Sequence, residues 1–256
     1  MEELVSVIIP LYNSERLIEK TLDSVLSQTY KNIEVLIVDD CSTDKSYDIV
    51  SRIAKNDKRV ILLQNEVNSG AAVARNYGLK KSKGRYIAYI DADDLWNSDK
   101  LEKQIKFMNE NNIGFSCCAY NIINESGVDQ KKEIFMPNIV TYKKFLKNTI
   151  LQTVGIIVDT NIVDRSLLVM PLVRRGQDAA TWAKILKNGH LCYGQHEVLA
   201  SYRKVKNSLS SNKFKAVKRT WHWYIKIEKL NVFYAIYCFM GYAINAILKR
   251  IYIRKK

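Results

Sequence analysis

The chain has 256 residues, 47% of them hydrophobic and 26% charged, which are the proportions of an ordinary globular protein rather than a disordered or fibrous one. Its five cysteines, Cys41, Cys117, Cys118, Cys192 and Cys238, form no CxxC pair and no metal spacing with the histidines. A disulfide framework and a zinc ribbon are thereby disfavoured, and reduced thiols in a cytosolic setting are expected. The formal net charge of +14 is uneven: residues 203–256 hold fourteen Lys or Arg against the single acid Glu228, a net +13, which leaves about +1 for everything before them.

The opening MEELVSVIIPLYN sets two acids before a short apolar run and lacks a basic leader, so it does not read as a signal peptide. Five runs read as strands: residues 5–10 (VSVIIP), 33–40 (IEVLIVDD), 60–64 (VILLQ), 85–91 (RYIAYID) and 113–120 (IGFSCCAY). Helix-like segments separate them. In residues 14–28, Leu17, Ile18, Leu22, Val25 and Leu26 share one face, with Ser14 placed to cap. Repeated units of this kind predict a mainly parallel sheet covered on both faces, an α/β fold. Residues 121–190 are less regular: NESG reads as a turn, 141–148 as a short helix, TVGIIVD as a strand, and 178–187 as a helix packing Trp182, Ile185 and Leu186.

In an open parallel sheet ligands bind outside the carboxyl ends of the strands. Three of those ends carry chemistry here: residues 10–13 after the first, Asp39 and Asp40 after the second, and Asp91, Asp93 and Asp94 after the fourth. A dinucleotide fold would need GxGxxG after the first strand, where the chain reads PLYNSER, and no Walker lysine motif occurs. Three carboxylates within four positions repel one another, so such a cluster sits in solvent or around a cation.

Four ordered segments, VSVIIPLYN, QTYKNIEVLIVDDCSTD, NSGAAVARNYGLKKSKGRYIAYIDADDLW and GQDAATWAKILKNG, resemble the successive signatures of family 2 glycosyltransferases of the GT-A fold. The resemblance runs from about residue 5 to 211, and the continuation to Trp221 looks like the subgroup that builds bacterial surface polysaccharides, the teichuronic acid, capsule and O-antigen enzymes. It implies a nucleotide-sugar donor, a Mn²⁺ or Mg²⁺ cofactor and a lipid-linked saccharide acceptor. The DAD triplet matches the family's DxD, so the resemblance gives Asp93 to the metal and Asp91 to ribose or a metal-bound water. Tyr12 and Asp40 match the positions that stack on and hydrogen-bond the base, Pro10 beside them is counted with the donor site, and Arg75 is placed to reach a phosphate or the base. Asp178 matches the catalytic base, although Gln177 stands where the family usually has Glu. Arg203 matches a segment that closes over the donor diphosphate.

Other readings of the same residues stay open: a solvated turn for DADD, core packing for Tyr12, helix entry for DDCSTD, and a helix salt bridge for Arg75. Asp178 also suits a helix cap, and Arg203 a solvated charge. His190, His196 and His222 share no spacing and receive no role.

Past residue 212 the character changes to a basic, aromatic-rich helical tail, and residues 230–248 run nineteen positions without a charge. That is close to the ~20 needed to span a bilayer, but basic residues flank it on both sides, against the positive-inside preference. In-plane or monotopic attachment to the cytoplasmic leaflet is expected, with a packed hairpin and a true span as alternatives. The expectation is therefore a GT-A domain over 1–211 and a membrane-associating tail over 212–256. It acts as an inverting, metal-dependent transferase, with a UDP-sugar donor and no nucleic-acid partner. A dTDP- or GDP-sugar donor, an inactive scaffold and a nucleic-acid-binding protein are the alternatives.

Overall fold

The computed structural model describes residues 2–173, 176–204, 213–247 and 253–255. The boundary expected at 211/212 lies outside the described residues. Strands β1 (Val5–Leu11) and β2 (Ile33–Asp39) are largely apolar, as strands covered on both faces must be, and the polar Ser6 and Glu34 within them bond to each other at 2.5 Å. They pair in parallel, with β3 (Val60–Gln64) beyond β2 and β4 (Tyr86–Tyr89) on the other side of β1, also parallel. Helix α1 (Ile18–Leu26) buries Ile18, Thr21, Leu22 and Val25, which recur at helical spacing. After α2 (Ser46–Asn56) comes α3 (Ala71–Lys81), whose Gly78 lies so close to the sheet that a Cβ there would meet Ile8 at 2.7 Å.

The sheet then becomes mixed. A two-residue strand β5 (Leu95–Trp96) leads into α4 (Lys100–Glu110), followed by the long β6 (Phe115–Asn124), β7 (Asp129–Ile134) and β8 (Ile139–Val140). Helix α5 (Tyr142–Lys147), capped by Thr141, precedes β9 (Ile156–Asp159), which lies antiparallel between β4 and β6. Helix α6 (Gln177–Lys187) leads to β10 (Cys192–Lys204), which runs parallel to β6 through two register shifts and also pairs antiparallel with β5 and β8. Trp182 of α6 is fully buried, with its ring 5.8 Å from both Tyr89 of β4 and Phe115 of β6. The order through the sheet is β7-β6-β9-β4-β1-β2-β3, with a short β11 (Ile253–Lys255) antiparallel to β7 at one edge.

The five strands read from the sequence all form. Helix α1 starts later than expected, at Ile18, and the Ser14 side chain bonds to the carbonyl of Tyr12 instead of capping.

The C-terminal helices are docked against the sheet domain. Helix α7 (Lys213–His222) continues into a π-helical turn (Trp223–Ile227), and α8 (Val232–Ile247) follows. The π-helical turn and α8 pack on α5: Trp223 meets Phe145 edge-on at 6.0 Å, Tyr142 donates to Glu228 just past the turn at 2.7 Å, and Lys147 Nζ donates to the Tyr237 hydroxyl at 2.7 Å. Among the described residues, no helix is long and apolar enough to cross a membrane.

One buried group stands out on α4. Lys100 is fully buried, its Nζ has no hydrogen-bond partner and lies 4.1 Å from the centre of the Trp96 ring, and burial pushes its ammonium down to about 8. A lysine lowered on folding contributes stability above its unfolded value, and that stability is lost as pH falls through the folded one. Below about pH 8 the fold therefore has to bury a charge. Lys100→Met, similar in volume and uncharged, is expected to raise urea resistance at pH 7 and to flatten the gain that the wild type shows between pH 7 and 9.5. A lower midpoint at pH 7 would mean that the cation–π contact outweighs the desolvation.

Candidate active site

The parallel strands β1, β2 and β4 end on the same edge of the sheet, so their following loops converge. Pro10 is half-buried within β1, and Tyr12, just past the strand, is 50% exposed. The two loops are cross-stitched. The Asn13 side chain accepts from Thr43 N at 2.8 Å, Ser14 N donates to Ser46 Oγ at 2.7 Å, and Glu15 accepts from Lys45 N at 3.0 Å.

Asp40 lies beside Tyr12, its backbone N–H donating to the carbonyl of Leu11 at 2.8 Å. Its carboxylate is 3% exposed and accepts from Ser69 N at 2.9 Å, Gly70 N at 2.6 Å and Asn65 Nδ2 at 2.7 Å. Gly70 precedes α3 with φ of 87°, a left-handed conformation that favours glycine, and that turn presents the two N–H groups to Asp40. Asp40 thus organises the start of α3. The residues that bond to it, Asn65, Ser69 and Gly70, were not singled out from the sequence.

Arg75, one turn into α3, is buried and forms a salt bridge through Nη2 with Asp91, the first residue of the acidic turn. Burial works against its charge, but the carboxylates of Asp91 and Asp178 outweigh it and hold the guanidinium above its ordinary value. Nε and Nη1 of Arg75 have no hydrogen-bond partner among the described residues. The turn is braced from two further sides. Thr21 Oγ1 donates to the carbonyls of Ala92 at 3.0 Å and Asp94 at 2.9 Å, and Arg203 reaches it from the end of β10.

The Arg203 side chain is 3% exposed; Nε donates to the Asp93 carbonyl at 2.6 Å and Nη1 to the carbonyls of Asn124 and Glu125. Its backbone N–H donates to Asp94 Oδ1 at 2.8 Å. Arg203 thus braces the acidic turn, and the segment that follows it, expected to close over a diphosphate, lies outside the described residues from residue 205 on.

Within the turn the three carboxylates differ. Asp94 is buried, and burial together with the charges of Asp93 and Asp91 holds its carboxyl well above the usual range. Asp93 is half-buried and pushed up to about 6, first by loss of water and then by the neighbouring Asp91. Asp91 is about one-third exposed. Asp91 and Asp93 thus concentrate negative charge at the strand end, where the charged form of Asp93 is disfavoured. Among the described residues no cluster of three or more side chains could cage a metal. Mg²⁺ and Mn²⁺ do not require one when one or two carboxylates and substrate phosphates supply the oxygens. The donor set fits a cation of that kind.

Asp178 arrives from the opposite side. It is the second residue of α6, and Trp182, one turn further on the same face, is anchored to Tyr89 two residues before Asp91. This anchoring brings the Asp178 carboxylate into the field of Arg75. Gln177 opens the helix with its side-chain oxygen buried and unpartnered. The structure therefore gathers Tyr12, Asp40, Arg75, Asp91, Asp93 and Asp178 at one edge of the sheet.

Residues 6–169 match the sequence profile of glycosyl transferase family 2. The chain belongs to that family. It is 46% identical to TuaG of Bacillus subtilis, named for teichuronic acid biosynthesis, over 97% of this chain and 98% of TuaG. It is also 42% identical to WfgD of Escherichia coli, a UDP-Glc:alpha-D-GlcNAc-diphosphoundecaprenol beta-1,3-glucosyltransferase, over 85% of this chain and 84% of WfgD. Among solved structures, residues 1–349 of Staphylococcus aureus TarS in complex with UDP-GlcNAc superpose with a TM-score of 0.71 at 23% identity, over 93% of this chain and 71% of TarS 1–349. The mannosyltransferase PcManGT of Pyrobaculum calidifontis, in complex with GDP-Man and Mn²⁺, gives 0.63 at 23% identity, over 85% of this chain and 61% of PcManGT. The fold of this family 2 glycosyltransferase is accordingly GT-A, with a mainly parallel central sheet.

Proposed function

We propose that this family 2 glycosyltransferase moves a sugar, with inversion, from a UDP-linked donor to a hydroxyl of a lipid-linked saccharide during bacterial surface-polysaccharide synthesis. One observation carries the reading: the acidic turn of Asp91 and Asp93, braced by Thr21, Arg75 and Arg203, shares an edge of the sheet with Asp178. Tyr12 offers an exposed aromatic face for a base beside Pro10. Asp40 completes the wall that the base lies against.

Asp93, with Asp91 beside it, would hold Mn²⁺ or Mg²⁺, which supplies Lewis-acid stabilisation of a departing diphosphate when bound. Asp178 Oδ takes the proton of the acceptor hydroxyl while that oxygen bonds to the anomeric carbon on the face opposite the diphosphate. The bond from that carbon to the diphosphate oxygen breaks, and its electron pair leaves with the nucleotide. Arg75, cationic and short of partners at Nε and Nη1, keeps a positive charge between the two acids.

The UDP preference rests on WfgD and on the TarS complex, and the lipid-linked acceptor on WfgD. Attachment of the tail to the cytoplasmic face of the membrane is supported by α8, where Phe233, Ile236, Tyr237, Met240 and Ile244 lie exposed on one side, and by the basic charge around it. Calorimetric titration with UDP, dTDP, GDP and ADP, with and without Mn²⁺, tests the donor site. Micromolar binding of UDP that requires the metal is the expected result. No heat from any nucleotide at millimolar concentration would overturn the reading.

A further inference from the structure

Between α7, the π-helical turn and α8 lies an open groove of about 560 Å³. Val217, Trp221 and Ile225 form one row along it, spaced by four, and Phe239 of α8 stands edge-on to Trp221 at 5.9 Å. A second row, Lys218, His222 and Lys226, runs one residue further along the same helix; the lining is almost wholly apolar, so these exposed residues meet the groove with their apolar stems and carry their polar heads at its rim. Side chains spaced by four stack on one helical face, so an apolar lane and, along its rim, a cationic lane lie side by side. Neither a soluble sugar nor a purely apolar ligand matches both lanes. An amphiphile with an apolar chain and an anionic head does.

The groove also runs into the exposed face of α8. Phe239 lies about 60° around that helix from Ile236 at 3.6 residues per turn, and Ile236 is 44% exposed beside Met240 at 52%.

We infer that this groove holds the lipid of the acceptor, a single prenyl chain against Val217, Trp221, Ile225 and Phe239, with its diphosphate against Lys218 and Lys226. The inference rests on the lipid-linked acceptor proposed above, and it adds where on the chain that lipid is held. A diphosphate carries enough negative charge to engage several basic side chains, and the apolar lane holds the chain by burial from water.

The test uses the full chain and geranylgeranyl diphosphate as the probe, followed by calorimetry and by tryptophan fluorescence, to which Trp221 contributes from inside the groove. Metal is left out so that the diphosphate is not drawn to the acidic turn. The probe is expected to bind at least about tenfold more tightly than either geranylgeraniol or inorganic diphosphate. Val217→Asp, at a position already solvent-accessible, and Lys226→Glu are each expected to weaken it by about tenfold or more. Metal-dependent UDP binding reports separately on the sheet domain and is expected to be unchanged in both variants. Equal affinity of wild type and variants would overturn the groove as the site, and so would binding to phosphatidylglycerol vesicles without binding to the monomeric probe. Loss of UDP binding in the wild type would instead count against the donor site.

Discussion

Asp93→Asn is expected to abolish metal-dependent binding of UDP and to raise the melting temperature of the metal-free protein above pH 6. Both effects have one cause. The Asp93 carboxyl is pushed up to about 6 by lost hydration and by Asp91, so in the metal-free fold its charge is the unfavourable form. An acid raised on folding contributes stability that is fully present below its unfolded value, near 4, and is lost as pH rises through about 6. Wild-type stability should decline across that window, and Asp93→Asn should flatten the decline, because the amide keeps the shape and never ionises. Adding Mn²⁺ with UDP should recover the lost stability in the wild type alone, since a ligand that binds only the native state stabilises it by mass action. The measurement is a set of thermal melts from pH 4 to 8, with and without Mn²⁺ and UDP. Metal-dependent UDP binding that survives in Asp93→Asn would remove Asp93 from the metal site.

Asp178→Asn is the second large effect, and it should separate chemistry from binding. The amide occupies the same position at the start of α6 but cannot take up the acceptor's proton. Transfer should fall by roughly 10² to 10⁴-fold in kcat, the usual worth of a positioned general base, with KM for the donor and the affinity for UDP nearly unchanged. Arg75 sharpens the comparison, because removing the Asp178 charge also removes one of the two carboxylates that favour the guanidinium. A shift in UDP affinity would therefore mark Asp178 as part of the donor site's electrostatics. A fall in transfer of less than about tenfold would remove it as the base.

The central strands could be read in the sequence because burial on both faces leaves an apolar run, as in residues 7–9 and 35–38. Strand β10 could not. Its Gln-His-Glu stretch interrupts the apolar pattern, and the register shifts at Gln195, Val198 and Ala200 remove the alternation that would have marked it. The bracing contacts of Arg203 are illegible for the same reason, since its partners at Asp93 and Asp94 lie more than a hundred residues earlier. Lys100 was equally hidden, since a lysine in DKLEK reads as the exposed face of a helix and only the approach of Trp96 buries it. The acidic turn was legible for the opposite reason: the mutual repulsion of Asp91, Asp93 and Asp94 is a property of the sequence itself and holds in any fold that keeps them together. The tail lay between these cases. Its uncharged run was plain, but its docking on α5 depends on Tyr142, Phe145 and Lys147, which carry no signal of their own.

The loops after β1 and β2 exchange hydrogen bonds in both directions: Asn13 N donates to Ser42 Oγ while the Asn13 side chain accepts from Thr43, and Glu15 N donates to Asp44 while the Glu15 side chain accepts from Lys45. For protein engineering the two loops form one cassette. A graft that imports only residues 12–16 from a relative with another nucleotide preference would leave 42–46 facing the wrong partners, and a graft of the second loop alone would fail in the same way. Natural change of donor should follow the same constraint, so that across relatives the two segments are inherited as matched pairs.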